Sequence, residues 1–499
     1  MEDFDYNFEQ EKRKIIPLMR QFATHCTACG ICIENCVFHD YSREDGRQIM
    51  GEIKKFLLSK KLDKKLSKKT KKFIWNCGIC EHCNNKCPLP DDKKIPRSPM
   101  IVLLRGLLVI KNEAPILIRL VRLLLFKDEN NPVLESLWPI AGKILVPGWY
   151  DNKDELQIKE RKAIEKARRY PDKGAEVCFF GGCGHTNAIP DSVYGTISIL
   201  EQAGIDHITI GNPAFCCGVV YILMGYFDIW LKHTYKVMKN YLKLTPRPKR
   251  LLLHCPGCYT IYQFDLSQYG LILPLNYLRI MNNPIKMMHV SEYILELIKE
   301  EKIKLKGEVP LVVTYQDNCS IGRRMARVGK SVYDEPREVL NNIPGIKLVE
   351  ANNIRENAYC CGLIATKTQG MGTNIKLIGK DKAYTIQRDL YKYLIEHESK
   401  NLVTPCMGCA LVYEDSARFW SNKLGSKINI LELSELVNRS MGINIPQRYF
   451  DLNNVMSLSV PFIKPSIIKV IPRMIKTHAF RDIFNFIKKM INYSLKRKK

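Results

Sequence analysis

The sequence predicts an α/β fold preceded by an all-helical, cysteine-dense segment, and three observations carry that reading. Cysteines crowd residues 20–90, in two runs separated by an interval that contains a lysine-rich, helical-looking stretch. Residues 176–440 contain a repeat in which short apolar runs alternate with helical stretches such as "SVYDEPREVL". The repeat places cysteines directly after its apolar runs, and in parallel sheets the carboxyl ends of strands are where sites collect.

The first element is the segment 1–97. Its opening residues carry no apolar core and no small-residue cleavage site, so the sequence predicts no signal peptide and a cytoplasmic, reducing environment. There, 19 cysteines in 499 residues point to metal or catalysis rather than disulfides. "CTACGICIENC" sets Cys26, Cys29, Cys32 and Cys36 at C-x2-C-x2-C-x3-C, and "CGICEHCNNKCP" repeats this at Cys77, Cys80, Cys83 and Cys87. Three thiolates within seven residues suit one face of a [4Fe-4S] cube, whereas zinc usually takes two pairs separated by a longer loop. The runs resemble two-cluster ferredoxins, in which the fourth cysteine of each run serves the other cluster. That resemblance implies Cys26, Cys29, Cys32 and Cys87 on one cube and Cys77, Cys80, Cys83 and Cys36 on the other. The interval between the runs fits a helical ferredoxin. It includes ten lysines from Lys54 to Lys72, which read as a solvated helical stretch.

Residues 98–175 read as a helical insert: "PILIRLVRLLLF" and the charged "DNKDELQIKERKAIEKARR". The repeat follows as domains 176–305 and 306–440. "EVCFFGGC" matches "VPLVVTYQDNC"; "GIDHITIGNPAFCCG" matches "GIKLVEANNIRENAYCCG"; "RLLLHCPGC" matches "NLVTPCMGC". Each copy supplies five cysteines: Cys183, Cys216, Cys217, Cys255 and Cys258, then Cys319, Cys360, Cys361, Cys406 and Cys409. Five exceeds both a tetrahedral zinc and an ordinary cube. Adjacent thiols make a strained disulfide, and they suit two irons side by side. The remaining thiol, Cys178 in "EVCFF", reads as a buried strand residue.

The pattern C-x32-CC-x37-C-x2-C and C-x40-CC-x44-C-x2-C, with a glycine after each pair, resembles the cysteine-rich CCG domains of the heterodisulfide reductase family. A helical ferredoxin followed by two CCG domains is similar to its D-type subunit, and iron–sulfur subunits of glycolate and lactate oxidases share the order. "VYDEPREVLNNIPGIKLVE" matches the family's second repeat. The resemblance implies two cubane and two noncubane [4Fe-4S] clusters, with a disulfide split between the two CCG sites. It also implies an alternative, an electron-transfer subunit carrying electrons from a flavin-dependent 2-hydroxyacid dehydrogenase to quinone. Redox partners would be a flavoprotein, a ferredoxin or a membrane cytochrome b. The family often reads Asp-Pro-Cys-His where this chain has Asp317, Asn318, Cys319 and Ser320.

Beside ligand positions, His82, His185 and His254 could give protons to a leaving thiolate or hydrogen-bond to cluster sulfur. Arg323 and Arg324 read either as anion binders or as a solvated helix start.

Residues 441–499 form the last element. From Lys464 onward there are eleven Lys or Arg and one acidic residue, with Phe480, Ile483, Phe484, Ile487, Met490, Ile491 and Leu495 at helical spacing. This predicts a basic amphipathic helix suited to an anionic, cytoplasmic membrane face, a partner groove or its own domain. The net charge of +26 is otherwise solvated surface, because no nucleic-acid module accompanies it.

Overall fold

The computed structural model describes residues 16–119, 154–211, 216–265, 285–363 and 378–446, apart from single or paired positions within these spans. The basic tail and residues 120–153 of the expected insert lie outside the described residues. Among the described residues no helix is long and apolar enough to cross a membrane.

The described part of the N-terminal segment is built from helices. Ser42 opens α1 (Arg43–Leu58) with a capping box: its side chain accepts from Asp45 N, and Asp45 accepts from Ser42 N. Ser67 caps α2 (Lys68–Asn76) in the same manner through Thr70 N. Ile49, Met50, Ile53, Phe56 and Leu57 of α1 and Phe73, Ile74 and Trp75 of α2 point inward to one core. The lysine-rich stretch is thus two helices with a break, not one. α3 (Arg97–Ile110) is buried along nearly its whole length, including Arg105 at 0 % exposure. The Arg105 guanidinium donates to the carbonyls of Ile74 (3.0 Å), Trp75 (3.2 Å), Cys77 (2.7 Å) and Leu223 (3.0 Å). It thereby closes the C-terminal end of α2, where carbonyls lack intrahelical partners, and ties that end to the first repeat.

α4 (Glu155–Ala167) leads into the first repeat: β1 (Val177–Phe180), α5 (Cys183–Ala188), α6 (Pro190–Gln202), β2 (His207–Ile210), α7 (Phe227–Leu242), β3 (Arg250–Leu253), α8 (Pro256–Thr260), β4 (Lys286–His289) and α9 (Val290–Lys299). The second repeat gives β5 (Val312–Tyr315), α10 (Glu335–Asn341), β6 (Lys347–Leu348), α11 (Ile378–Glu396), β7 (Asn401–Val403), α12 (Met407–Leu424), β8 (Asn429–Leu431) and α13 (Leu433–Ser440). Each repeat folds as a four-stranded parallel sheet, in the orders β2-β1-β3-β4 and β6-β5-β7-β8. β1 is buried at every residue, as a strand covered on both faces should be. Strand order reverses beside β1 and β5, so the crevice beyond their carboxyl ends is the switch point of each sheet.

The two repeats share one apolar core. Val177, Val193 and Leu297 of the first pack in the same cluster as Val313, Leu340 and Leu436 of the second. α6 lies against α13, and α9 against α10. Asn438 Nδ2 donates to Gly195 O across the boundary at 2.8 Å.

Candidate iron–sulfur sites

All nineteen cysteines are free thiols, and eighteen gather in four groups at loop and helix starts. Cys178 stands apart within β1 at 0 % exposure, as its apolar setting predicted.

The first two groups cross between the two N-terminal runs. Burial pushes the Cys32 thiol up; Arg97 opposes this, and Cys26, Cys29 and Cys87 add to it as charged neighbours. Burial likewise pushes Cys36 up to about 12, with Cys77 and Cys80 as its thiolate neighbours. Cys83 is raised well above the usual range by burial, with Cys32, Cys77 and Cys80 nearby. Buried thiols so crowded ionise readily only when a cation takes the charge, which is what iron would supply. The residues therefore fit [4Fe-4S] groups.

Backbone geometry at the two runs is the same. Ala28 N donates to Cys26 Sγ (3.3 Å) and Ile79 N to Cys77 Sγ (3.4 Å), and both residues take positive φ, 56° and 47°. A β-branched residue there is strained, and the ligand loop sustains it. Gly30 and Gly46 touch backbone to backbone: a Cβ on either would collide with the other's chain, and Gly30 has φ +83°. This contact seats the first ligand loop on α1.

In the first repeat, Cys183 follows β1, Cys216 and Cys217 follow β2, and Cys255 and Cys258 follow β3. The five interact with one another. Hydrogen bonding to Cys216 raises Cys183, hydrogen bonding from Cys183 lowers Cys216, and Cys217 bonds both Cys216 and Cys258. Gly182 makes this approach possible, since a Cβ there would stand 2.9 Å from Cys255 Cβ and 3.4 Å from Cys258 Sγ. The glycine after each cysteine pair is left-handed and donates its N–H to the first thiol: Gly218 to Cys216 Sγ at 3.4 Å, Gly362 to Cys360 Sγ at 3.5 Å. The carbonyls of the pair are anchored by α7, where Trp230 Nε1 donates to Cys217 O (3.3 Å) and His233 Nε2 lies 2.9 Å from Cys216 O. In the second repeat Gln387 of α11 donates to Cys361 O at 2.9 Å.

The second five converge in the same way. Cys319 Sγ lies 3.8 Å from Cys360 Sγ, and Cys361 bonds Cys360 and Cys409. Asn318, the departure noted from the sequence, donates through Nδ2 to Cys409 Sγ at 3.3 Å.

Two junctions join the groups. Cys80 of the N-terminal segment hydrogen-bonds Cys360 of the second repeat, which lowers the Cys80 thiol. Arg323 braces this junction, donating to Cys80 O (3.0 Å), Glu356 O (3.1 Å) and Ala358 O, with Nη2 buried and unpartnered. The solvated-start reading of Arg323 and Arg324 is overturned: they are 5 % and 4 % exposed, and Arg323 reaches Cys80 O of the N-terminal segment.

The second junction faces the two repeats together. Cys406 feels the charge of Cys255, and Met407 N donates to His185 Nε2 at 3.2 Å. His185 and His254 stack obliquely, ring centroids 4.4 Å apart, and with Glu432 they form a buried group within 4.8 Å. Because His185 Nε2 accepts an amide proton, its own proton sits on Nδ1.

Arg97, Arg105, Glu432 and the Asp317–Arg337–Glu350 network escaped sequence reasoning. Arg105 left a signal, a lone charge inside the apolar "PMIVLLRGLLVI". The others depend on long-range packing.

Comparison with known proteins follows the same division. Residues 22–90 match the 4Fe-4S dicluster domain, and residues 177–262 and 313–413 match the cysteine-rich domain of the CCG type. The chain is 25 % identical over 327 residues to the D-type subunit of the dihydromethanophenazine:CoB–CoM heterodisulfide reductase of Methanosarcina acetivorans, covering 63 % of this chain and 72 % of that one. It is 23 % identical over 418 residues to a subunit of the CoM/CoB fumarate reductase of Methanothermobacter marburgensis, covering 82 % and 71 %. It is 25 % identical to the EtfAB:quinone oxidoreductase of Syntrophomonas wolfei, over 58 % of this chain and 36 % of that protein.

Proposed function

Because the chain belongs to the cysteine-rich CCG-domain family of iron–sulfur proteins and carries a 4Fe-4S dicluster domain, we propose that it is a heterodisulfide reductase-type oxidoreductase that accepts single electrons and reduces a disulfide. The net change is R–S–S–R′ + 2e⁻ + 2H⁺ → RSH + R′SH. Cys26, Cys29, Cys32 and Cys87 would hold one cube, and Cys36, Cys77, Cys80 and Cys83 the other. Each repeat's five cysteines would hold a further cluster of the noncubane kind. When bound, these groups supply one-electron relay and irons with affinity for sulfur.

The observation that carries the reading is the chain of contacts from Cys80 to Cys360, and from Cys406 towards Cys255. It links the dicluster segment to the second repeat, and the second repeat to the first. His185, His254 and Glu432 form a buried group where the repeats meet. His185, buried where the repeats meet with Nε2 accepting from Met407 N, is placed as the proton donor for a departing thiolate. Arg323 sets a fixed positive charge beside Cys80, Cys319 and Cys360 and favours their ionised, metal-bound form.

A second reading, electron transfer between a flavoprotein and quinone, is favoured by the similarity to the EtfAB:quinone oxidoreductase. The test is anaerobic turnover of a disulfide panel with reduced viologen as donor. Thiol release supports disulfide reduction. Absence of thiol release, with a flavoprotein co-purifying, overturns it in favour of the second reading. Membrane or partner docking by the tail beyond residue 464 belongs to the same proposal, and fractionation of a chain truncated there tests it.

A further inference from the structure

A cleft of about 590 Å3 opens between the dicluster segment and the second repeat, away from the gap between the repeats. Its position is set by the ligand loops themselves. Asn35 and Val37 flank Cys36, His82 precedes Cys83, and Tyr359 precedes Cys360. A molecule lodged there therefore touches residues adjoining two ligand positions of the second cubane group and one of the second repeat.

The lining is polar and specific. Asn35, Asn352, Asn353 and Asn357 offer amides that both donate and accept. Lys86 is exposed at the rim, and no acidic side chain is among the described lining residues. His82 and Tyr359 form an aromatic wall, centroids 5.5 Å apart and inclined by 43°. His82 is only 8 % exposed, and its Nδ1 is buried without a hydrogen-bond partner. Tyr359 is a large ring left 38 % exposed. Asn85 Nδ2 donates to Glu356 O at 2.6 Å and fixes the two walls relative to each other. The volume is within the range of small-molecule sites.

From these features we propose that the cleft is an electron port for the isoalloxazine ring of a flavin. The ring has a planar face for the Tyr359–His82 wall, alternating carbonyl and N–H edges for the asparagines, and an anionic ribityl phosphate for Lys86. A quinone with a long apolar tail finds no apolar channel in this lining. The reduced flavin gives up two electrons one at a time, and its two protons go to solvent. With the disulfide chemistry above, the sum is FlH2 + R–S–S–R′ → Fl + RSH + R′SH. The donor role rests on that reading, whereas flavin binding does not.

The ring can arrive as free flavin mononucleotide or on a flavodoxin, and two arms separate these sources. Oxidised, anaerobically prepared holoprotein is titrated with flavin mononucleotide by fluorescence quenching. Dithionite-free reduced flavin mononucleotide and reduced flavodoxin are then each mixed with it, and cluster bleaching is followed by stopped flow. Both are repeated with Asn353→Leu and Lys86→Gln, with iron and acid-labile sulfide confirming that the clusters survive.

Saturable quenching that weakens at least tenfold in both variants supports a free-flavin port. Slower bleaching by flavodoxin alone in both variants supports a flavin presented by a protein. Absence of saturable quenching, together with unchanged bleaching by both donors in both variants, overturns the proposal. If wild-type protein binds flavin but viologen drives no disulfide turnover, flavin binding at the cleft stands while the disulfide reading, and with it the donor role in disulfide reduction, falls.

Discussion

The Asp317 carboxylate, two residues before Cys319, is held by Arg337 through Nη1 and Nη2 at 2.8 Å each, while Arg337 Nε and Nη2 reach Glu350 at 2.6 and 2.8 Å. Arg355 N also donates to Asp317, at 2.7 Å. Asp317 and Arg337 are 1 % and 8 % exposed at their side chains. Replacing Arg337 with Met leaves a buried carboxylate without its partner, a change worth about 3–5 kcal/mol. Chemical unfolding should show that loss, and Arg337→Lys should recover little of it, because an ammonium cannot make the forked contact. The cysteines give a second residue-scale prediction. Cys178→Ala should keep the full iron content and cost only ~1 kcal/mol for its small cavity. Cys80→Ser should lose iron. Equal iron in the two variants would exclude Cys80 as a ligand.

At the scale of single elements, backbone contact decides which loops can carry ligands. Gly46 lies on α1, where any Cβ meets the Gly30 carbonyl. Gly46→Ala should cost about 1–3 kcal/mol by overpacking and lower occupancy of the first cubane group; iron per chain and thermal unfolding check both parts. β4 ends at His289, whose Nε2 lies 3.1 Å from His254 O and whose Nδ1 pairs with Ser291. Burial lowers His289 to about 3, below the usual histidine value near 6.5. A depressed folded value means the unfolded chain binds the proton more tightly. The stability is present above pH 6.5 and is lost as pH falls towards 3. Denaturant midpoints should therefore drop from pH 7 to pH 5 in the wild type and drop less in His289→Gln. A flat wild-type profile would contradict this.

For the molecule as a whole, the proposed function makes the two repeats and the dicluster segment one route rather than separate modules. If each of the four cysteine groups holds a [4Fe-4S] group, as proposed, the purified chain should carry about 16 iron and little zinc. Substitution at the Cys80–Cys360 junction should interrupt the route at its narrowest point. In Cys80→Ser, viologen-driven thiol release should fall at least tenfold, because the contact into the second repeat is lost. An unchanged rate would mean that electrons enter the repeats by another path.

Much of this was legible in the chain. Thiol spacing determined the two ferredoxin-type runs, and duplication of "CCG" with matched partners determined the two five-cysteine sites, because metal chemistry fixes residue type and local separation together. Alternating apolar runs likewise determined parallel sheets with cysteines at their carboxyl ends. Cys178 was assignable as a strand residue for the same reason. What the tertiary structure alone decided are the relations between distant segments: Cys80 against Cys360, Met407 against His185, and Arg323 against Cys80 O of the N-terminal segment. Such contacts join residues up to 280 positions apart, and no local periodicity encodes them. They arise when apolar faces of separate elements are buried against one another, and that burial is settled only by the whole fold.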